Sequence, residues 1–428
     1  MLIDNELANY ENAKVQRIKN YLDGIHKVLG RQDFKFGGKT LVTAKIILQS
    51  ISSIVDYHAS FICGKPVTLT GDKEKLALIQ SIYKKGFYNR TDYNIAKDLV
   101  QYGNAYECVY KDEKGIIRSE VLNASDAFPV YEDGEYNGFV EYYVDPYTGV
   151  ETERIFTFDS VKEYRNGVLI NDYNNVSGLP IHYTSNDMDD TNLFGQSLVS
   201  KLMPVMDEIE QLLSKMSDAI YTLSMNPLGV ASGQRIDSSI SSDMIGSVLN
   251  LDDGGTFDWA TANLDYNSIK LLLDSLMNQF VQIACVPSTV YGNANFANVS
   301  ETSLQILYSQ TEAFAQRLSF GLLEGMNKRL EYISNMIGID VTDINISFNY
   351  NKPIDTNNLM NNLKLQYDMG AISIESILRN SPYVNDVDRE LELINSNLFT
   401  EKGNNANEDM LEENNKQNLD DNENRNDS

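Results

Sequence analysis

Between Ser197 and Leu223 the apolar residues Leu198, Leu202, Val205, Ile209, Leu212, Met216, Ala219 and Leu223 recur in alternating steps of four and three. That rhythm is the seam of a helix packed lengthwise on another helix. A seam this long constrains the fold, because it must find a partner of matching length. Pro204 marks a kink or a later start, and Asn226-Pro227 ends the pattern. A second apolar helix, Tyr266–Val286, carries Ile269, Leu272, Leu276, Phe280 and Ile283, with Lys270, Asp274, Asn278 and Gln282 as a polar stripe at i+4 steps. A third, capped by Ser300 and reaching about Ile337, has Leu304, Leu307, Phe314, Leu318, Leu322, Met326, Leu330 and Ile333 as its seam. Gly321 and Gly325 are its expected bending points. The neutral stretch PSTVYGNANFANVS, Pro287 to Ser300, joins the second helix to the third.

The rest of the chain reads as helices first and short strands next. Residues 4–30 are expected to be helical, with Leu7, Tyr10, Lys14, Ile18 and Leu22 on a mixed face. Ala44–Ile62 carries Ile47, Ile51, Ile54, Tyr57 and Phe61 at helical spacing and stops at Gly64-Lys65-Pro66. Val67–Thr70 is a short strand, and Lys73–Lys85 and Thr91–Tyr102 are helices. From Ala105 to Tyr183 the spacing shortens to Ile116–Leu122, Phe128–Tyr131, Gly138–Val144, Ile155–Phe158, Val161–Arg165 and Val168–Ile170, separated by turn signals such as Asp112–Gly115 and Asn166-Gly167. One antiparallel sheet is the expectation, and the fold class is α+β. Leu228–Val230 and Val248–Leu251 read as strands, Ile236–Ile245 as a short helix and Asp252–Gly255 as a turn. Ile344–Tyr350 alternates like a strand. Asn357–Gly370, Ser373–Asn380 and Val384–Asn395 read as three short helices.

Composition narrows the chemistry. The formal net charge of −26 argues against a protein that grips nucleic acid, since phosphate contacts need a basic face. Cys63, Cys108 and Cys285 stand far apart, form no C-x-x-C pair and read as buried free thiols in a reducing cytoplasm. The first residues lack the apolar core of a signal peptide, and no run approaches the ~20 apolar residues of a membrane span. Gly38-Lys39-Thr40 resembles the end of a phosphate-binding loop, but Asp33 stands where the motif needs its first glycine. Asp187, Asp189 and Asp190 crowd together, yet Asn192 and Leu198 occupy the positions where a calcium loop needs Gly and Glu, so a solvated loop is expected. His26, His58 and His182 are isolated. Nothing selects a catalytic residue, a metal site or a cofactor, and no enzymatic activity is expected.

Read in order, several segments carry a resemblance. Tyr21-Leu22-Asp23-Gly24 followed by Gly64-Lys65-Pro66-Val67, then Gly103-Asn104-Ala105-Tyr106-Glu107 and Tyr110-Lys111-Asp112-Glu113-Lys114-Gly115, then Pro287 through Asn298-Val299-Ser300 and Leu304, resemble the portal family of siphophages of Gram-positive hosts. Glu301-Thr302 departs from it, where a small residue is common. The resemblance implies a portal-type fold with these parts: residues 1–195, a wing of helices and antiparallel sheet; 196–224, a stem helix; 225–263, a small α/β clip; 264–286, a second stem helix; 287–300, a tunnel loop; 301–337, a long kinked helix; 338–352, a wing strand; 353–398, a helical crown. The last part, 399–428, is read as a disordered acidic tail, since from Thr400 it holds nine Asn, nine Asp or Glu and three Lys or Arg.

On this resemblance Tyr291, Asn293, Asn295, Phe296 and Asn298 face DNA in the channel, and Leu202, Ile209, Met216, Leu272, Leu276 and Phe280 pack the stem. The implied assembly is a homo-oligomeric, dodecameric ring at one capsid vertex of the virion, put together in the bacterial cytoplasm. Its implied partners are the major capsid and scaffolding proteins, the terminase large subunit, head–tail connector or adaptor proteins, and double-stranded DNA passing without sequence-specific contact. Two other readings fit the residues taken alone. One is a non-enzymatic helical scaffold of a phage-tail-like particle, and the other is a DNA-processing enzyme associated with a motor.

Overall fold

The computed structural model describes residues 6–36, 39–185, 193–221, 228–233, 253–260, 265–287, 301–352, 356–384, 386–387 and 389–396. The chain divides into two compact units, one up to Lys352 and one from Pro353.

The first unit opens with α1 (Glu6–Leu22). Its buried stripe is Val15, Ile18 and Tyr21, and Tyr10 is exposed, so the inward face is rotated from the expected one. The helix stops short of residue 30 because Gly24 adopts φ +93, a left-handed conformation that ends helices. A hairpin follows, β1 (Phe34–Phe36) with β2 (Lys39–Leu41). Helix α2 (Ser50–Cys63) begins later than the expected Ala44. The N–H groups of Ala44, Ile46 and Leu48 bond side chains of a distant helix, so they are not available to continue α2 backwards.

After β3 (Thr68–Thr70) come α3 (Lys73–Gly86) and α4 (Tyr88–Tyr102). Asp72 caps α3, its carboxylate accepting from the N–H groups of Glu74 and Lys75. Strands β4 (Asn104–Lys111) and β5 (Ile117–Leu122) make a hairpin. Asn123 then caps a single 3-10 turn, and the chain leaves for a second sheet. That sheet contains β6 (Ala127–Glu132), β7 (Glu135–Val144), β8 (Glu151–Phe156), β9 (Ser160–Arg165) and β10 (Val168–Asn174), antiparallel in the order β10-β9-β8-β7-β6. Strand β11 (Ile181–Thr184) returns to the first sheet, whose order is β11-β4-β5. The single expected sheet is therefore two, divided at the Asn123 turn.

Helix α5 (Leu198–Ala219) is capped by the Ser197 hydroxyl, which accepts from the Ser200 N–H at 3.1 Å, and it contains Pro204 without ending there. Strands β12 (Leu228–Ser232) and β13 (Thr256–Ala260) pair antiparallel and lead to α6 (Tyr266–Ala284). The expected helix Ile236–Ile245 and strand Val248–Leu251 lie outside the described residues. Helix α7 (Glu301–Ile337) follows, and β14 (Asn345–Ser347) pairs with β3. The second unit holds α8 (Thr356–Asp368), α9 (Ile374–Asn380) and helical residues 389–396.

The main core gathers Leu318, Leu322, Met326, Leu330 and Ile333 of α7 with residues of α2, α4, α5 and β11. Gly321 and Gly325 serve close approach to β11. A Cβ on Gly321 would stand 1.9 Å from the Thr184 carbonyl oxygen, and one on Gly325 would stand 2.1 Å from Cε1 of Tyr183. Gly321→Ala or Gly325→Ala should therefore lower unfolding free energy by about 3 kcal/mol or block folding. Gly30→Ala, where an added Cβ meets nothing within 4 Å, should stay within about 0.5 kcal/mol of wild type in urea titrations.

Candidate functional site

Helices α5 and α6 pack on each other, and the six expected packing residues, three on each helix, are buried to different degrees. Leu202, Ile209 and Phe280 are fully buried in the main core. Leu276 packs against that core, and Met216 is half-buried outside it. Leu272 is 50% exposed, and its neighbour Leu273 packs against the core instead. One part of the pair is thus anchored, while Tyr221, Tyr266, Leu271 and Leu272 remain open.

The anchoring side of α5 is polar. Glu210, Ser214 and Asp218 follow one another at i+4 and share a face. They accept, in turn, the N–H of Leu48 (2.8 Å), Ile46 (3.0 Å) and Ala44 (2.7 Å). The match is geometric: two residues of extended chain advance about 6.6 Å and four residues of helix about 6 Å. Both ends of this ladder are locked. Arg31 donates to Asp218 at 2.7 Å and to the Ala44 carbonyl at 2.6 Å. His26 Nδ1 lies 2.8 and 2.9 Å from the two oxygens of the buried Glu210, and its ring stacks on Tyr21 with centroids 3.8 Å apart.

The exit from α6 is held from two sides. Cys285 takes a left-handed φ of 52, and Val286 and Pro287 are buried. The His58 Nε2–H donates to the Ala284 carbonyl at 2.7 Å, and the Thr311 hydroxyl donates to the Cys285 carbonyl at 2.7 Å. The last carbonyls before residue 287 are therefore tied to α2 and α7. Burial holds His58 neutral, its pKa pushed down to about 4. The residues expected to face DNA, Tyr291, Asn293, Asn295, Phe296 and Asn298, lie outside the described residues, as do Asp187, Asp189 and Asp190. Of the three cysteines only Cys63 is buried, and Cys108 and Cys285 are partly exposed.

Sequence reasoning missed a fully buried charge. Arg329 of α7 has no exposed surface. Its Nε donates to Glu107 of β4 at 2.8 and 3.0 Å and its Nη1 to Asp92 of α4 at 2.6 Å. The Tyr183 hydroxyl of β11 donates to Glu107 at 2.5 Å, and the guanidinium sits 4.9 Å from the centroid of the Tyr88 ring. Burial pushes the Asp92 carboxyl upward, and Arg329 opposes that shift. The signal was present in the sequence, because Arg329 stands three residues after Met326 and four before Ile333, on the apolar seam. The segment Gly103–Glu107 is held by contacts at each of its key residues. Gly103 has φ +80, Asn104 accepts from the Gly195 N–H at 2.9 Å and from His182, and Glu107 receives Arg329. Burial pushes His182 down to about 3, so it is neutral, and its other ring nitrogen accepts from the Tyr131 hydroxyl at 2.6 Å.

Among the described residues no group of three or more His, Cys, Asp or Glu is placed to hold a metal ion, and no helix is long and apolar enough to cross a membrane. The model of the family described as "Phage portal protein, SPP1 Gp6-like" matches residues 3–404. Among solved structures, a chain from the neck of an empty GTA particle computed with C6 symmetry aligns with TM-score 0.50 and 14% identity, covering 78% of this chain and 88% of that one. A chain from the virion of a native gene transfer agent (GTA) particle aligns with TM-score 0.47 and 14% identity, covering 77% and 87%. No curated protein matches.

Two outcomes follow from the buried groups. Arg329→Met leaves Glu107 and Asp92 buried without their cation and should cost about 3–5 kcal/mol in urea unfolding. Adding Glu107→Gln and Asp92→Asn should restore most of that loss. For His58, the unfolded chain binds a proton below 6.5 and the folded chain only near 4. Its contribution is thus fully present above pH 6.5 and is lost as pH falls toward 4, about 3 kcal/mol in all. His58→Gln should flatten stability over that window.

Proposed function

The chain belongs to the SPP1 Gp6-like phage portal family, and on that premise we propose that its copies close into a ring whose central channel conducts DNA into and out of the capsid. As a family member it is a structural component of the virion, at the vertex where head joins tail. The observation that carries the further reading is the helix pair α5 and α6. It is fixed to residues 44–48 by the Glu210, Ser214 and Asp218 ladder and to α2 by His58, and it keeps Leu271, Leu272, Tyr221 and Tyr266 exposed. Neighbouring copies in a ring supply the cover such surface needs, because a cyclic contact presents two different faces of one chain to each other. The resemblance implies about twelve copies.

The parts then take these roles. Residues 1–195 with 338–352 form the wing, and 196–224 with 264–286 form the stem. Residues 225–263 form the clip that meets the terminase large subunit during packaging and head–tail connector or adaptor proteins afterwards. Residues 301–337 are the long helix behind the channel, and 353–398 are the crown. The major capsid and scaffolding proteins hold the ring in its vertex, which assembles in the bacterial cytoplasm. Residues 287–300 line the channel. They carry no charged side chain, so Tyr291, Asn293, Asn295, Phe296 and Asn298 touch the phosphate backbone through neutral groups and DNA slides. The net charge of −26 works in the same direction, since an acidic assembly does not bind a polyanion tightly. The role is mechanical and not enzymatic.

Deleting Tyr291–Asn298 is the test. Oligomers should form as in wild type while packaged DNA, measured as nuclease-protected genome per particle, falls to background. Wild-type packaging by the deletion would remove the channel assignment of this segment.

A further inference from the structure

Helices α3 and α4 meet without a linker. Phe87 both follows the last turn of α3 and precedes the first turn of α4. Its N–H donates to the Tyr83 carbonyl, and its own carbonyl accepts from the Arg90 N–H at 3.0 Å. This reversal puts a left-handed φ of 59 on Phe87. Gly or Asn holds that conformation at the least cost. The position instead carries a bulky aromatic that is 65% exposed. Packing does not account for the choice, since the ring belongs to none of the three core clusters.

Three cations share this corner. Lys84 and Lys85 are exposed in the last turn of α3, and Arg90 is exposed in the first turn of α4. Among the described residues none of the three makes an ion pair. The two lysines suit the negative end of α3. Arg90 does not suit its place, because it stands at the positive end of α4, where a carboxylate is favoured and the first turn has none. A strained aromatic and a misplaced cation both cost stability. Such local violations gather where a surface has a task.

We propose that this corner, Lys84, Lys85, Phe87 and Arg90, is the docking site for the acidic segment 408–413 of this chain. Residues 397–428 lie outside the described residues. Within them Glu408, Asp409, Glu412 and Glu413 flank Met410 and Leu411, and no basic residue stands between Lys402 and Lys416. Carboxylates bind guanidinium and ammonium groups through charge-assisted hydrogen bonds, which is how cation clusters recognise acidic motifs. Met410 and Leu411 supply the apolar contact that the exposed ring offers, and a thioether sulfur is a favourable neighbour of an aromatic. Duplex DNA fits less well, because three cations on a chain of net charge −26 do not make the basic face a polyanion needs. The docking does not depend on the ring reading.

The test uses full-length protein in which Glu408→Gln, Asp409→Asn, Glu412→Gln and Glu413→Gln remove the competing charge. A fluorescein-labelled peptide of residues 404–418 is titrated with it and followed by anisotropy. Saturable binding is expected, weakened at least about tenfold by Phe87→Asn and by Lys84→Glu with Lys85→Glu. Phe87→Asn should keep or raise the thermal midpoint, because Asn takes the left-handed backbone more readily than Phe. Its loss of binding is then separate from any loss of fold. A peptide carrying Glu408→Lys, Asp409→Lys, Glu412→Lys and Glu413→Lys should bind only when Lys84→Glu, Lys85→Glu and Arg90→Glu are present together. Absence of saturable binding, or equal binding by Phe87→Asn and the charge-reversed variants, overturns the proposal. A lowered thermal midpoint in Phe87→Asn gives the ring a packing role and also overturns it. Tighter binding of a short DNA duplex than of the peptide, lost in the same variants, assigns the corner to nucleic acid and likewise overturns it.

Discussion

The guanidinium of Arg329 ties together pieces of chain that are remote in sequence. It joins α7 to β4 through Glu107, 222 residues away, and to α4 through Asp92, 237 residues away, with the Tyr183 hydroxyl of β11 completing the cluster. A charge fully removed from water is tolerated only when its partners are close and well directed. Each partner thus specifies the position of the others. The close crossing of α7 on β11 at Gly321 and Gly325 lies one and two turns away along the same helix, so the ion cluster and the glycine contact fix one helix–sheet geometry between them. Helix α5 packs against α2 and α4 of that body, and α6 packs against α5.

The pair α5 and α6 shows how one helix serves two environments. Leu202 and Ile209 of α5 enter the core, and the adjoining row of Glu210, Ser214 and Asp218 holds an extended strap by its backbone. Backbone N–H groups outside any helix or sheet must be paired elsewhere, and here three carboxylate or hydroxyl acceptors do that work. On α6, Leu273, Leu276 and Phe280 pack inward while Tyr266, Leu271 and Leu272 stay exposed. A helix with an open apolar flank is stable in an assembly that covers it, which is the physical link between this fold and the proposed ring.

Much of this was legible in the sequence because periodicity reports burial. The long helices, the strand run and the α+β class follow from spacing, and the order of short motifs was specific enough to suggest the family. Spacing failed where polar side chains redirected the backbone. Ile47 fits the apolar rhythm of Ile51 and Ile54, yet residues 44–48 are extended because α5 captures their N–H groups. Leu272 and Leu273 are equivalent by composition, and only the packing of α6 decides which turns inward. Arg329 sits on an otherwise apolar seam, where a charge signals either a partner or a fault. The Asn123 turn that divides the sheets is three residues of local capping chemistry, too short to stand out in a window of hydropathy. The candidate channel residues were suggested by resemblance and not by pattern, since a neutral Asn-rich stretch has no periodicity to read.

On the proposed reading, copies of this chain enclose a channel. Electron microscopy of the purified full-length protein, with two-dimensional classes counted from top views, addresses it directly. Closed rings of a single cyclic symmetry are expected, with an open central hole and the α5 and α6 pairs arranged around it. A population that stays strictly monomeric at high concentration, or that assembles into two-fold particles without a hole, would contradict it.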